Sequence, residues 1–192
     1  MSESMFGKVN VTIKGLTPLL MNRLDIADLQ GKGRRKGQVY DAKKEAAKAA
    51  HIAKFDDEEC LYVPSEWIYS CIIGAAKSYH PPGSRASASA LYAGSIRIEP
   101  EKISLGHKNY EIDIRAVNIV GSRVVKARPK IPEWSIPFSI LYYKRTIESS
   151  NALAQLQMIL EDAGIRMGIG DYRPQHKGWF GTFTVTKFEV EN

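Results

Sequence analysis

The chain has 192 residues, 44% of them hydrophobic and 25% charged, ordinary values for a globular protein that argue against wholesale disorder or a fibrous repeat. Its longest uncharged apolar run, Trp67 to Ala76, is bounded by Glu66 and Lys77, far short of the ~20 residues of a membrane-spanning helix. Lysine and arginine total 27 against 21 acidic residues, giving a net charge of +6, a balance that favours polyanionic partners.

The opening Met1-Ser2-Glu3-Ser4 has no basic region followed by an apolar one, so no secretory signal is expected and the cytoplasm is the expected location. Cys60 and Cys71 form no Cys-x-x-Cys pair, which speaks against a zinc site or a disulfide framework. Cys71 falls on an apolar helical face and reads as a small core residue. No cofactor and no metal are expected.

Along the chain, Lys8 to Gly15 alternates, with Val9, Val11 and Ile13 on one side and Asn10, Thr12 and Lys14 on the other. That is a half-buried strand. Residues 22 to 60 read as an insertion: a mobile basic loop, Gly31 to Gly37, then a short Ala- and Lys-rich helix within Asp41 to Lys54, capped by Asp41. Pro64-Ser65-Glu66 starts a helix, with Ser65 as a capping side chain and Ile68, Cys71, Ile72, Ala75 and Tyr79 on one face. Pro81-Pro82-Gly83 stops it, and Ser84 to Ala90 reads as a flexible loop. Ser95 to Leu105 reads as a strand broken near Glu99-Pro100. Tyr110 to Arg115 alternates as another strand. A hairpin follows with its tip at Val120 to Arg123, and then a strand carrying Ile136, Phe138, Ile140 and Tyr142. The second helix places Leu153, Leu156, Leu160 and Ala163 on one face. Ser149, Ser150 and Asn151 lie at its start and Gly164 at the C-cap. After a glycine-rich loop from Gly168, the last strand carries Phe183, Val185 and Phe188, whose slipped alternation predicts a bulge.

Without the insertions, the order is strand, helix, strand, strand, helix, strand. This predicts an α+β fold of ferredoxin-like or RRM-like type, an antiparallel sheet with two helices on one face. The whole chain, 1–192, reads as a single such domain with insertions at about 22–60 and 106–130, the second a hairpin thumb.

Three basic clusters could carry chemistry. The first is Lys32, Arg34, Arg35 and Lys36 with Lys43 and Lys44 beyond, and Asn22 and Arg23 before it; mixed glycine and arginine leave the backbone free to follow a phosphate chain. The second is Arg123, Lys126, Arg128 and Lys130 on the hairpin, where edge protection is the competing role. The third is the glycine-rich loop, Gly168 and Gly170 with Tyr172, Arg173, His176 and Lys177. There Arg173 can pair with phosphate, and Tyr172 or Trp179 can stack on a base. A helix cap and connector is the structural alternative for this loop. Catalytic sets are thin: the four histidines lack metal-ligand spacing, and only Asp25 and Asp28, after the first strand, offer carboxylates for a divalent metal or for phosphodiester cleavage.

The segments Gly15-Leu16-Thr17-Pro18-Leu19-Leu20, Leu61-Tyr62-Val63-Pro64-Ser65-Glu66-Trp67-Ile68 and Gly168-Ile169-Gly170-Asp171-Tyr172-Arg173, followed by Gly178-Trp179-Phe180-Gly181-Thr182-Phe183, resemble in order and spacing the CRISPR-associated RAMP superfamily. The closest resemblance within it is to the backbone subunits that polymerise along guide RNA. That resemblance implies an RNA contact surface at Ser65 and Trp67 and at Gly168, Gly170, Tyr172 and Arg173, with a thumb near Ala116 to Arg128. It also implies that Asp25 or Asp28 occupies the place of the aspartate that some members use to cut target RNA. The expected function is binding of single-stranded nucleic acid, RNA before DNA, largely through phosphates. The expected partners are single-stranded RNA or DNA, other copies of the chain along the strand, and other effector-complex subunits. A metal-dependent endoribonuclease of the same superfamily and a phage or mobile-element single-stranded DNA-binding protein are the alternatives.

Overall fold

Alternation decides the first strand. In β1 (Phe6–Gly15) Val9, Val11 and Ile13 are buried, while Lys8, Asn10 and Thr12 turn the other way. β1 lies between β9 (Ser135–Tyr143) and β10 (Phe183–Glu191), and β9 also pairs with β5 (Ile96–Glu99), all antiparallel. The resulting sheet order is β10-β1-β9-β5. The computed structural model describes residues 4–24, 39–119 and 122–191.

Two helices cover the apolar face. α2 (Ser65–Ala76) and α5 (Leu153–Arg166) bring Ile68, Ile72, Ala75, Leu156, Leu160 and Ala163 into one core with Val9, Val11, Ile13, Ile136, Phe138 and Ile140. Each fully buried aliphatic side chain contributes ~1.5–3 kcal/mol to folding. Cys71 is a free, buried thiol of this core, as expected. The expected ferredoxin-like order is therefore the observed one, and the predicted bulge is present as a register shift of β1 against β10 between Thr12 and Ile13.

Two smaller sheets flank this body. β2 (Leu19–Leu20) pairs with β8 (Ser122–Ile131), which forms a hairpin with β7 (Glu111–Ile119). β4 (Glu58–Pro64) lies between β3 (Ile52–Phe55) and β6 (Lys102–Ser104). Helix α1 (Ala42–Ala49) packs against the hairpin through buried Ala46 and Ala49. Asp41 caps it, its Oδ1 accepting from the Lys43 and Lys44 amides at 3.0 and 3.1 Å. Helices α3 (Ala88–Ala93) and α4 (Lys144–Ile147) complete the description.

Several local expectations are corrected. The inserted helix ends at Ala49, because Ile52–Phe55 pairs with β4. The second half of the expected loop at Ser84 to Ala90 enters α3, whose Ala88 and Tyr92 are fully buried; the Tyr92 hydroxyl donates to the Ala152 carbonyl at 2.8 Å. Ser65 does not cap: it is the first residue of α2, buried, with its amide donating to the Glu101 carbonyl at 2.9 Å. The Ser149 and Ser150 hydroxyls donate back to the Arg145 and Thr146 carbonyls rather than capping α5. Gly164 lies inside α5, not at its cap, and glycine is needed there because a Cβ would collide with the Phe183 carbonyl; the turn that leaves the helix uses Gly168, at φ +66°. Finally, the segments around Ile112 and Ala116 are one continuous strand, β7.

Candidate nucleic-acid interface

The glycine-rich loop is fastened to the first β connection. The Asp171 amide donates to the Leu20 carbonyl, the Gly181 amide to the Pro18 carbonyl and the Ile169 amide to the Gly181 carbonyl, each at 2.9 Å. Two glycines are demanded by this closeness. Gly170, at φ +78°, lies where a Cβ would be 2.5 Å from the Leu20 carbonyl oxygen. Gly181, at φ +67°, lies where a Cβ would run into the Ile169 carbonyl. Both positions combine a left-handed backbone with a filled Cβ site, so the loop's shape needs glycine there whatever it binds.

The hairpin's base rests on this loop. Along one face of the hairpin, Asp113, Arg115 and Val117 oppose Arg128, Lys126 and Val124. The Arg128 side chain is 8% exposed, and its Nε lies 2.9 Å from Asp171 Oδ2, out of line for a hydrogen bond and with no other partner for either atom. Arg115 donates from Nε to Asp113 Oδ1 at 2.7 Å. Its guanidinium carbon lies 4.9, 5.6 and 6.0 Å from the ring centroids of Phe180, Trp179 and Tyr172. A groove of about 590 Å³ opens between hairpin and loop, lined by Arg115, Ala116, Val117, Arg128 and Tyr172.

A second, smaller groove of about 120 Å³ runs between the hairpin and α1 and brings Asn22, Arg23 and Lys126 together with Glu45, Lys48 and Val125. Arg123 is exposed farther along β8, and Lys43 and Lys44 are exposed at the start of α1. Thus Asn22, Arg23 and Lys126 share one groove, while Arg128 and Tyr172 meet at the other. Trp67 adjoins Gly170, and Ser65 is buried in the first turn of α2.

Arg173 is half-buried and holds its own loop, donating from Nη1 to the Gly170 carbonyl at 2.8 Å and from Nε to Gln175 Oε1 at 3.1 Å. His176 is exposed on the 3₁₀ turn Pro174–His176. Asp25, Asp28, Lys32, Arg34, Arg35 and Lys36 lie outside the described residues. Among the described residues no cluster of three or more His, Cys, Asp or Glu is placed to hold a metal ion.

Two participants escaped sequence reasoning. Arg115 and Asp113 are one alternation apart on a strand, but the rings around Arg115 come from Tyr172 onward, so only the fold reveals the cup. His51 sits edge-on to Tyr62 and Trp67, with centroids 5.3 and 5.1 Å away, and its Nδ1 is buried without a partner. Burial first, and the Arg23 charge second, pull its pKa down to about 4, so the ring is neutral at neutral pH.

No protein-family model and no curated protein matches the sequence. Solved structures do match it. A chain of the type III-B Cmr-beta complex, determined bound to cognate target RNA, superposes with a TM-score of 0.56 at 12% identity, covering 97% of this chain and 61% of that one. A chain of a CRISPR RNA-guided surveillance complex gives 0.43 at 10% identity, covering 92% and 66%. The protein thus spans under two thirds of the length of each of these chains. In fold, the protein is similar to the chain of the Cmr-beta complex, an α+β likeness that agrees with the fold expected from the motifs.

Proposed function

We propose that the protein binds single-stranded RNA, chiefly through its phosphates, along the hairpin and the surface of the glycine-rich loop, as one subunit of a CRISPR-type ribonucleoprotein. The observation that carries this reading is the hairpin. Its base is anchored by Arg128 and Asp171, while Arg123 and Lys126 farther along have no carboxylate partner among the described residues. Cations without partners on a fixed arm can neutralise successive phosphates of a flexible strand, and such contacts carry little sequence preference. The likeness in fold to a chain of an RNA-bound complex supports the choice of ligand.

In this reading Arg23 and Asn22 extend the phosphate track beside Lys126, and Lys43 and Lys44 continue it across α1. The basic segment Lys32 to Lys36 supplies further phosphate contacts, and His176 borders the far end at the loop. Ser65, Gly168 and Gly170 serve the track by shaping the backbone on which it rests. The unit that does this is the whole chain, 1–192, with the insertions at about 22–60 and 106–130 carrying most of the cations. Other copies of the chain and other effector subunits are its protein partners.

The test is fluorescence anisotropy with labelled single-stranded RNA and DNA across a salt series, with parallel gels with and without Mg²⁺. Salt-dependent binding without cleavage is expected, and it should weaken in Arg123→Ala and Lys126→Ala. Absence of binding to any oligonucleotide at low salt overturns the reading, and Mg²⁺-dependent cleavage replaces it with the endoribonuclease.

A further inference from the structure

We infer that Trp179 is a stacking platform for one unpaired nucleobase, so that each copy grips a base plane as well as a run of phosphates. This rests on the RNA-binding reading above. The inference starts from a contrast among the three tryptophans. Trp134 is 5% exposed, its Nε1 donating to the Thr17 carbonyl at 2.9 Å. Trp67 is half-buried, edge-on to His51. Trp179 is 58% exposed. An indole offers a large area for burial, and leaving it in water forgoes that gain unless something covers it.

Trp179 is also held in place. Phe180, the next residue, is 3% exposed, and its amide donates to the Tyr172 carbonyl at 3.2 Å. Tyr172 and Phe180 set their rings 5.6 and 5.9 Å from the indole, and the Arg115 guanidinium lies 5.6 Å from it. An exposed aromatic fixed this way has little freedom left to lose when a second ring lies on it. Arg115 is itself neutralised by Asp113, so it is a positioning residue for the rings rather than a phosphate anchor.

The surroundings favour a base over an apolar protein side chain. The exposed residues close to Trp179 in the chain include His176 and Lys177, which suit the phosphates on either side of a stacked nucleotide. Stacking of this kind uses the π-face that every base has and is tolerant of sequence.

The experiment compares a uridine 12-mer with a ribose-phosphate backbone of the same length lacking bases, using the full chain, Trp179→Ala, Trp179→Phe and Arg115→Met. Thermal melts confirm folding of each variant. The parent should bind the base-bearing strand roughly tenfold more tightly than the bare backbone. Trp179→Ala should bind both strands as the parent binds the bare backbone, and Trp179→Phe should recover most of the preference. Arg115→Met should lower the preference while leaving the salt slope unchanged. Tryptophan fluorescence should be quenched by the base-bearing strand in the parent and not in Trp179→Phe. If the parent shows no preference, or Trp179→Ala keeps it, the platform is wrong while salt-dependent RNA binding stands. If neither strand binds, the RNA-binding reading fails and the platform with it.

Discussion

The open face of the four-stranded sheet and the side formed by hairpin and glycine-rich loop both carry cations, but they treat them differently. On the sheet, Lys8 meets Glu191 at 3.1 Å across β1 and β10, and Lys187 meets Glu189 at 2.9 Å along β10. These are exposed pairs worth little to stability, yet they cancel the local field. On the hairpin side, Asp171, Asp113 and Glu111 hold Arg128, Arg115 and Lys130 at the base, and Glu45 of α1 lines the groove beside Lys126 without pairing with it. Farther out, Arg123 and Lys126 have no such partner among the described residues. A polyanion therefore meets partly paired charge on the open sheet face, where Lys14 and Arg97 stand beside the two ion pairs, and unpaired Arg123 and Lys126 on the hairpin arm. The same residue type is a fastener where an aspartate is within reach and an unpaired cation where none is.

The largest effect we expect comes from the loop that carries the hairpin. Gly181→Ala forces a Cβ into the Ile169 carbonyl at φ +67° and should cost roughly 4 kcal/mol or more. Gly106→Ala, at φ +75° with open space around it, should cost only about 1–2 kcal/mol. Chemical denaturation of both variants measures the gap, and equal losses would show that strain rather than the filled site governs the loop.

Next in size is Arg128→Ala, which leaves Asp171 partly buried and uncompensated. A loss of about 3 kcal/mol is expected, the lower end for a broken buried pair because Asp171 keeps 29% of its side-chain surface. A loss below about 1 kcal/mol would class Arg128 with the surface cations.

A smaller free-energy change separates the two sides functionally. Arg123→Ala with Lys126→Ala should leave the melting temperature unchanged and lower the log–log salt slope for single-stranded RNA by about 1.4, or about 0.7 per lost contact. Lys8→Ala with Lys187→Ala on the sheet should leave that slope alone. Equal slopes in the two double variants would erase the contrast.

The effect that is smallest near neutral pH is one of protonation. The His51 pKa is about 4 in the folded chain against its ordinary 6.5, so between these values the unfolded chain binds the proton and the folded one resists it. Stability contributed by the neutral ring is fully present above about pH 6.5 and falls as the pH drops from about 6.5 to about 4. His51→Gln should flatten the melting temperature across that window.

Legibility in the sequence followed the range of the interactions. The alternation of Val9, Val11 and Ile13 and the helical spacing of Leu156, Leu160 and Ala163 are local signals, and they gave the order of elements and the sheet's apolar face. The register slip of β10 was readable for the same reason. The end of α1 was not, because β3 forms only where Ile52–Phe55 finds β4. Helix α3 hid among small polar residues, since only the fold shows that Ala88 and Tyr92 are covered. At the candidate site, residue types near Gly170 were visible. The conversion of Arg173 and Arg128 from surface cations into loop and hairpin fasteners was not, because the Asp171 that receives Arg128 lies in a different part of the chain.

The placing of β1 between β9 and β10 also governs the order in which the molecule can be made. During synthesis the segment Phe6–Gly15 leaves the ribosome long before Ser135–Tyr143 and Phe183–Glu191, the two strands that flank it. The Pro18 and Leu20 carbonyls likewise await amides from Gly181 and Asp171. Pairings at such separations must close most of the chain before they return any free energy, which slows folding. The nascent chain therefore holds this strand with both edges unpaired until Ser135–Tyr143 emerges and with one edge unpaired until Phe183–Glu191 follows, an interval in which that strand is open to other chains.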